Sequence, residues 1–181
     1  GQFRLFTDLS SMNYRETFVD INLTAIRHNI LELKKSAPAD ASLMAVVKGD
    51  AYGHGDEQIL KIATKTGVEW IGVAIVKEAI KIRKLDNQIK ILLLGYCPPN
   101  AYDEIVNQKI TITVYSLESA LSANAFARKN NIILPVHLKL DTGMARLGFS
   151  EKQLPEFLNN KNYFSHLNID GVSSHLSSAD E

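Results

Sequence analysis

Cysteine is nearly absent from this chain: its 181 residues include only one, Cys97. No internal disulfide can form, and the expectation is a protein of a reducing cytoplasm. An excess of one charge is missing too. Twenty basic residues balance twenty acidic ones, which leaves no electrostatic case for nucleic acid or an anionic membrane as partner. No run of about 18 apolar residues occurs, so no segment reads as a membrane-spanning helix. The first residues show neither an apolar h-region nor a cleavage signal, and no secretory peptide is expected. The glycines form neither GxGxxG nor GxxxxGKS/T, which excludes both nucleotide-binding loops. His137 and Lys139 share a strand face, but no carboxylate or cysteine stands at metal-ligand spacing, so no metal is expected. Apolar residues are plentiful, at 45% of the chain, enough for a substantial core.

Those apolar residues fall into short runs that read as strands: Leu43–Val47, Trp70–Ile75, Ile89–Tyr96, Ile110–Tyr115, Leu134–Leu140 and Ile169–His175. Amphipathic stretches separate them at Glu57–Thr66, Lys77–Leu85, Ala101–Gln108, Leu117–Asn130 and Glu151–Asn159, and another, Ala25–Ser36, precedes the first strand. Ser116 stands before Leu117, and Ser150 is followed three residues later by Gln153, so both serines read as helix caps. The regular alternation of strand and helix predicts an α/β fold with parallel strands. Pattern alone does not separate an open doubly wound sheet from a barrel.

Three segments carry chemistry. In Ala45–Gly55, AVVKGDAYGHG, a hydrophobic run delivers Lys48 into a stretch holding three glycines. A lysine at a strand end followed by glycine is common and usually just solvated. At the mouth of a fold, however, a desolvated amine can form a Schiff base with an aldehyde such as pyridoxal phosphate (PLP). In Val136–Phe149, VHLKLDTGMARLGF, the Asp141-Thr142-Gly143 turn precedes Arg146. The arginine fork is shaped to clamp a carboxylate, although a structural salt bridge is the commoner use. In Ser173–Glu181, SSHLSSADE, His175 ends another apolar stretch. Cys97 is read as structural, His54 as shaping its loop, and His28, Arg27 and His166 as ordinary surface or packing residues.

In order and rough spacing, these three segments resemble the motifs of the bacterial alanine racemase family, and Phe18–Ile30, FVDINLTAIRHNI, resembles its opening segment. The resemblance implies a PLP-dependent (β/α)8 barrel that interconverts L- and D-alanine and supplies D-alanine for peptidoglycan in the cytoplasm. Lys48 would hold the cofactor and move the α-proton. Tyr52 would bind its phosphate, Arg146 would meet the substrate carboxylate and the cofactor's phenolic oxygen, and His175 would lie against the pyridine ring. Lys139 matches a lysine that is carbamylated in many members, where it orients the arginine. Gly49-Asp50 stands where Ala-Asn or Ala-Asp is usual. The family's second acid/base group is a tyrosine in a C-terminal β-domain, contributed across a homodimer.

A barrel needs roughly 250 residues, so about six βα units are expected here, without the β-domain and with little activity on their own. The strands Leu43–Val47 and Ile169–His175 should then have unpaired edges. Residues 17–181 are read as the PLP-binding domain. Residues 1–16 are read as an extension, tag or linker, with Met12 standing where a family member would begin. A serine or broad-specificity racemase and a non-catalytic PLP-binding barrel remain alternatives, whereas a PLP decarboxylase would need other motifs.

Overall fold

A computed structural model describes residues 19–178; the expectations for Gly1–Ser11, Met12 and Thr17 lie outside them. Seven helical elements, α1 (Leu23–Ser36), α2 (Lys48–Tyr52), α3 (Asp56–Lys65), α4 (Val76–Leu85), α5 (Tyr102–Asn107), α6 (Leu117–Lys129) and α7 (Gln153–Asn159), alternate with six strands. The strands are β1 (Met44–Val46), β2 (Trp70–Val73), β3 (Lys90–Leu93), β4 (Thr111–Val114), β5 (Leu134–Leu140) and β6 (Leu167–Ser174). All pair in parallel in the order β1-β2-β3-β4-β5-β6.

That order decides what the sequence left open. A doubly wound sheet reverses its strand order at a switch point, and its helices then cover both faces. Here the order never reverses, so right-handed crossovers keep every connecting helix on one side, as in a barrel wall. Among the described residues β1 pairs only with β2, and β6 only with β5. The ring is open at the two edges expected from the sequence.

Alternation along the strands assigns the two faces. On β5, Leu134, Val136 and Leu138 are buried, while Pro135, His137 and Lys139 are half-buried on the opposite side. The buried set joins Ile71, Val73, Ile91, Leu93, Ile112 and Val114 beneath the helices. Burying each such side chain contributes about 1.5–3 kcal/mol. Ala120, Ala123 and Ala127 of α6 are fully buried, and their small size lets that helix lie close to the sheet. Ser116 caps α6 as expected, its hydroxyl accepting the Ser119 N–H at 3.1 Å, and Asn22 caps α1 by accepting the Ala25 N–H. Ser150 instead accepts the Gln153 N–H from a turn ahead of α7, which starts two residues later than expected.

One side chain ties the helix layer to the far end of the sheet. The Arg83 guanidinium, on α4, donates to the carbonyls of Gln108 at 2.8 Å, Ile89 at 2.8 Å, Lys109 at 3.1 Å and Asp86 at 3.2 Å. It bridges the loops that lead into β3 and β4. Arg83→Ala is therefore expected to cost about 2 kcal/mol, because carbonyls that accept from a cation lose their donors. The melting temperature should drop by about 4–8 °C, with Arg83→Lys falling between the two. An unchanged melting curve for Arg83→Ala would show that water replaces the guanidinium without loss.

Candidate functional site

Lys48 is reached through an unusual backbone. The stretch expected to be a loop is a tight helical turn of left hand: φ is 63° at Gly49, 55° at Asp50, 54° at Ala51 and 56° at Tyr52. Glycine accepts this conformation, but each non-glycine residue in it costs roughly 1–2 kcal/mol. Tertiary contacts must hold such strain. The Lys81 ammonium pairs with Asp50 at 3.3 Å and with the buried Asp56 at 2.8 Å. The Asp56 N–H donates to Asp50, and the Glu78 carboxylate accepts the Gly49 N–H at 2.7 Å. Hydrogen bonds from the Asp56 amide and from Lys81 hold the Asp50 carboxyl below the usual carboxylate range. His54 shapes the turn, as read from the sequence, its Nδ1 lying 2.9 Å from the Ala51 carbonyl. The turn brings Tyr52 back beside Lys48, whose Nζ lies 5.6 Å from the ring centroid, within cation–π range.

Arg146 sits on a second strained excursion, residues 141–148. Its ends are closed by Phe149, whose N–H donates to Lys139 O at 2.7 Å and whose carbonyl accepts the Asp141 N–H at 3.1 Å. Inside the loop the Asp141 carboxylate accepts the Ala145 and Gly143 amides, which hold its pKa down. The Thr142 hydroxyl meets that of Ser174 and donates weakly to the His175 carbonyl, stapling this loop to the end of β6.

Both excursions open on one cavity of about 680 Å³ at the carboxyl ends of the strands, lined by Lys48, Tyr52, His137, Lys139, Arg146 and His175 among others. All five residues singled out in the sequence are thus gathered here. Lys48 and Lys139 are half-buried, whereas Tyr52, Arg146 and His175 are exposed. Among the described residues, none of Lys48, Lys139 and Arg146 is in a salt bridge. Burial, reinforced by the positive charges of Arg146 and Lys48, lowers the Lys139 pKa, with Asp141 opposing. The donor set of a ligand for this cavity is clear: cations without acids suit phosphate and carboxylate groups.

His137 is a packing residue here. Its ring lies 5.4 Å from that of Trp70, burial lowers its pKa, and Nε2 is buried without a partner. A bulge at Asp170 in β6 puts Gly171 opposite it, where a Cβ would come within 2.7 Å of the ring. No cluster of metal-ligating side chains occurs among the described residues. Cys97 is buried, and burial pushes its thiol pKa up to about 11, so it is no nucleophile. Asp141 and Thr142 were read from the sequence only as part of a turn, not as supports of the arginine loop. Glu78 was missed, although it left a signal, an acid three residues after the residue preceding a helix.

The fold and the cavity define a class: a single-wound parallel α/β barrel domain with an anion-accepting site at the carboxyl ends of its strands, where barrel enzymes keep their active sites. The family model for the alanine racemase N-terminal domain matches residues 21–181, and the chain belongs to that family. It is 37% identical over 172 residues to alanine racemase 1 of Caldanaerobacter subterraneus subsp. tengcongensis, covering 92% of this chain and 43% of that protein. It is 38% identical to the alanine racemase of Geobacter sp. strain M21, covering 94% of this chain and 45% of that one. Among solved structures, alanine racemase from Bacillus anthracis with bound L-Ala-P superposes with a TM-score of 0.84 at 33% identity, over 94% of this chain and 44% of that one. The Bartonella henselae enzyme with covalently bound pyridoxal phosphate gives 0.81 at 28% identity, over 87% and 46%. The chain spans less than half the length of these relatives.

Proposed function

We propose that this chain forms the lysine-bearing barrel of a PLP-dependent racemase that interconverts L- and D-alanine. The observation that carries this reading is the convergence of Lys48, Lys139 and Arg146 on one cavity, without acidic partners among the described residues. A phosphorylated aldehyde and an amino acid carboxylate would together supply the missing negative charge. The relatives solved with covalently bound pyridoxal phosphate and with L-Ala-P support it. When bound, PLP supplies an electron sink for the charge left at the α-carbon as its proton departs.

The residues of this chain then have distinct tasks. Lys48 would form the covalent link to the cofactor and would take or return the α-proton on one face as general acid/base. Tyr52 would hold the phosphate, Arg146 would orient the carboxylate, and His175 would pack against the cofactor ring. The second acid/base group, the tyrosine of a C-terminal β-domain that the resemblance implies, would come from outside these residues and across a homodimer. The proposed setting is cytoplasmic supply of D-alanine to the cell wall. The reading is tested by incubating L-alanine with PLP-loaded protein of the relatives' full length and measuring D-alanine by chiral chromatography. No D-alanine would defeat it. Arg146→Lys, which keeps the charge but loses the bidentate fork, should mainly raise KM.

Lys139 carries a prediction of its own. Its lowered pKa leaves more neutral amine at a given pH than an ordinary lysine has. The Nζ lone pair can then attack the carbon of CO2 and release one proton, leaving a carbamate. That anion would replace like-charge contacts with Arg146 and Lys48 by attraction. With 13C-bicarbonate the protein should show a carbamate carbonyl resonance that Lys139→Ala lacks. The resonance should fade as pH falls, because the amine becomes protonated and unreactive. A wild-type spectrum without the resonance would exclude the modification.

A further inference from the structure

We propose that Glu78 is a positioning residue for Lys48: its carboxylate clamps the peptide that follows the lysine to the end of the neighbouring strand, and so fixes where the amine enters the cavity. The inference rests on the cofactor role proposed for Lys48. Three N–H donors from two separate segments converge on this one side chain. Gly49 donates to Oε1 at 2.7 Å, while Ala74 at 2.8 Å and Ile75 at 3.2 Å donate to Oε2. Ala74 itself lines the cavity. The ladder of β2 ends at Val73, and the next two amides turn to Glu78, which puts the clamp at the cavity rim.

The other ties on the left-handed turn act further along it. Lys81 and the Asp56 amide hold Asp50, and His54 bonds Ala51. No other side chain among the described residues bonds the Lys48–Gly49 peptide. Residues 50–52 are non-glycine residues in a left-handed conformation, so the turn tends to unwind wherever its ties are released. Unwinding at Gly49 would swing Lys48 directly. Glu78→Gln isolates this effect. The side chain keeps its size and one acceptor oxygen, but its new NH2 faces an N–H donor, so only one of the two segments stays bound.

The test uses PLP as probe, with borohydride to make its bond permanent and peptide mapping to locate it. In folded Glu78→Gln, judged by circular dichroism, labelling of Lys48 should fall by about tenfold or more while labelling of other lysines is unchanged. A merely structural role would not change the selectivity among lysines. Equal labelling of Lys48 in folded Glu78→Gln and wild type overturns this inference alone. No labelling of Lys48 in wild type overturns the cofactor role, and this inference with it. If Glu78→Gln fails to fold, amide exchange in the wild type decides. The Gly49 and Ala74 amides should be protected together, and a freely exchanging Gly49 amide overturns the clamp.

Discussion

Lys48→Ala is expected to lower alanine racemisation by at least about 10³-fold in protein of the relatives' full length, and to abolish the visible absorption of bound PLP. Loss of a positioned acid/base group alone accounts for about 10²–10⁴-fold, and the covalent link is lost with it. The fold should be spared. Lys48 is half-buried, makes no salt bridge among the described residues, and adds positive charge beside Lys139. Its removal relieves like-charge contact, so the apo protein should melt no lower than wild type. Near-wild-type turnover in this variant would move the catalytic amine elsewhere.

Gly148→Ala is expected to act through the backbone that carries Arg146. At φ +151° the new Cβ would stand 2.4 Å from Asp141 N and 2.6 Å from Leu140 C. These are main-chain atoms that cannot swing aside as a side-chain end can. The closure of the arginine loop, from Phe149 N to Lys139 O and from Asp141 N to Phe149 O, must open to admit the methyl group. Two hydrogen bonds plus strain come to about 3–5 kcal/mol, or a melting temperature lower by about 6–20 °C. In the surviving folded fraction KM for alanine should rise, because the loop no longer presents the fork. An unchanged melting temperature would mean that the loop closes in some other way.

Much of the fold was legible because it is local. β5 runs over Leu134–Leu140, as its alternation predicts, and α6 begins after Ser116. Strand ends were misread where a side chain from elsewhere takes over the backbone. Trp70–Ile75 stops at Val73 because Glu78 captures the Ala74 and Ile75 amides. The motifs pointed to Lys48, Tyr52, Lys139, Arg146 and His175 as candidates, and these five share one cavity. Their supports were not legible. Asp50 tolerates left-handed backbone, but Ala51 and Tyr52 do not favour it, and beside the local ties from Asp56 and His54 the turn is held by Glu78 and Lys81 of α4, some 30 residues on. The bulge at Asp170 and the Thr142–Ser174 staple likewise join segments far apart in sequence. Propensity does not encode such contacts.

This cavity is expected to deliver Lys48, rather than any other lysine, to a phosphorylated aldehyde. The most direct measurement treats the chain with PLP, reduces it with borohydride and maps the modified peptide, with Lys48→Ala alongside. Label is expected on the peptide containing Lys48 and should be lost in the variant. Label spread over surface lysines in the same pattern for both proteins would contradict it.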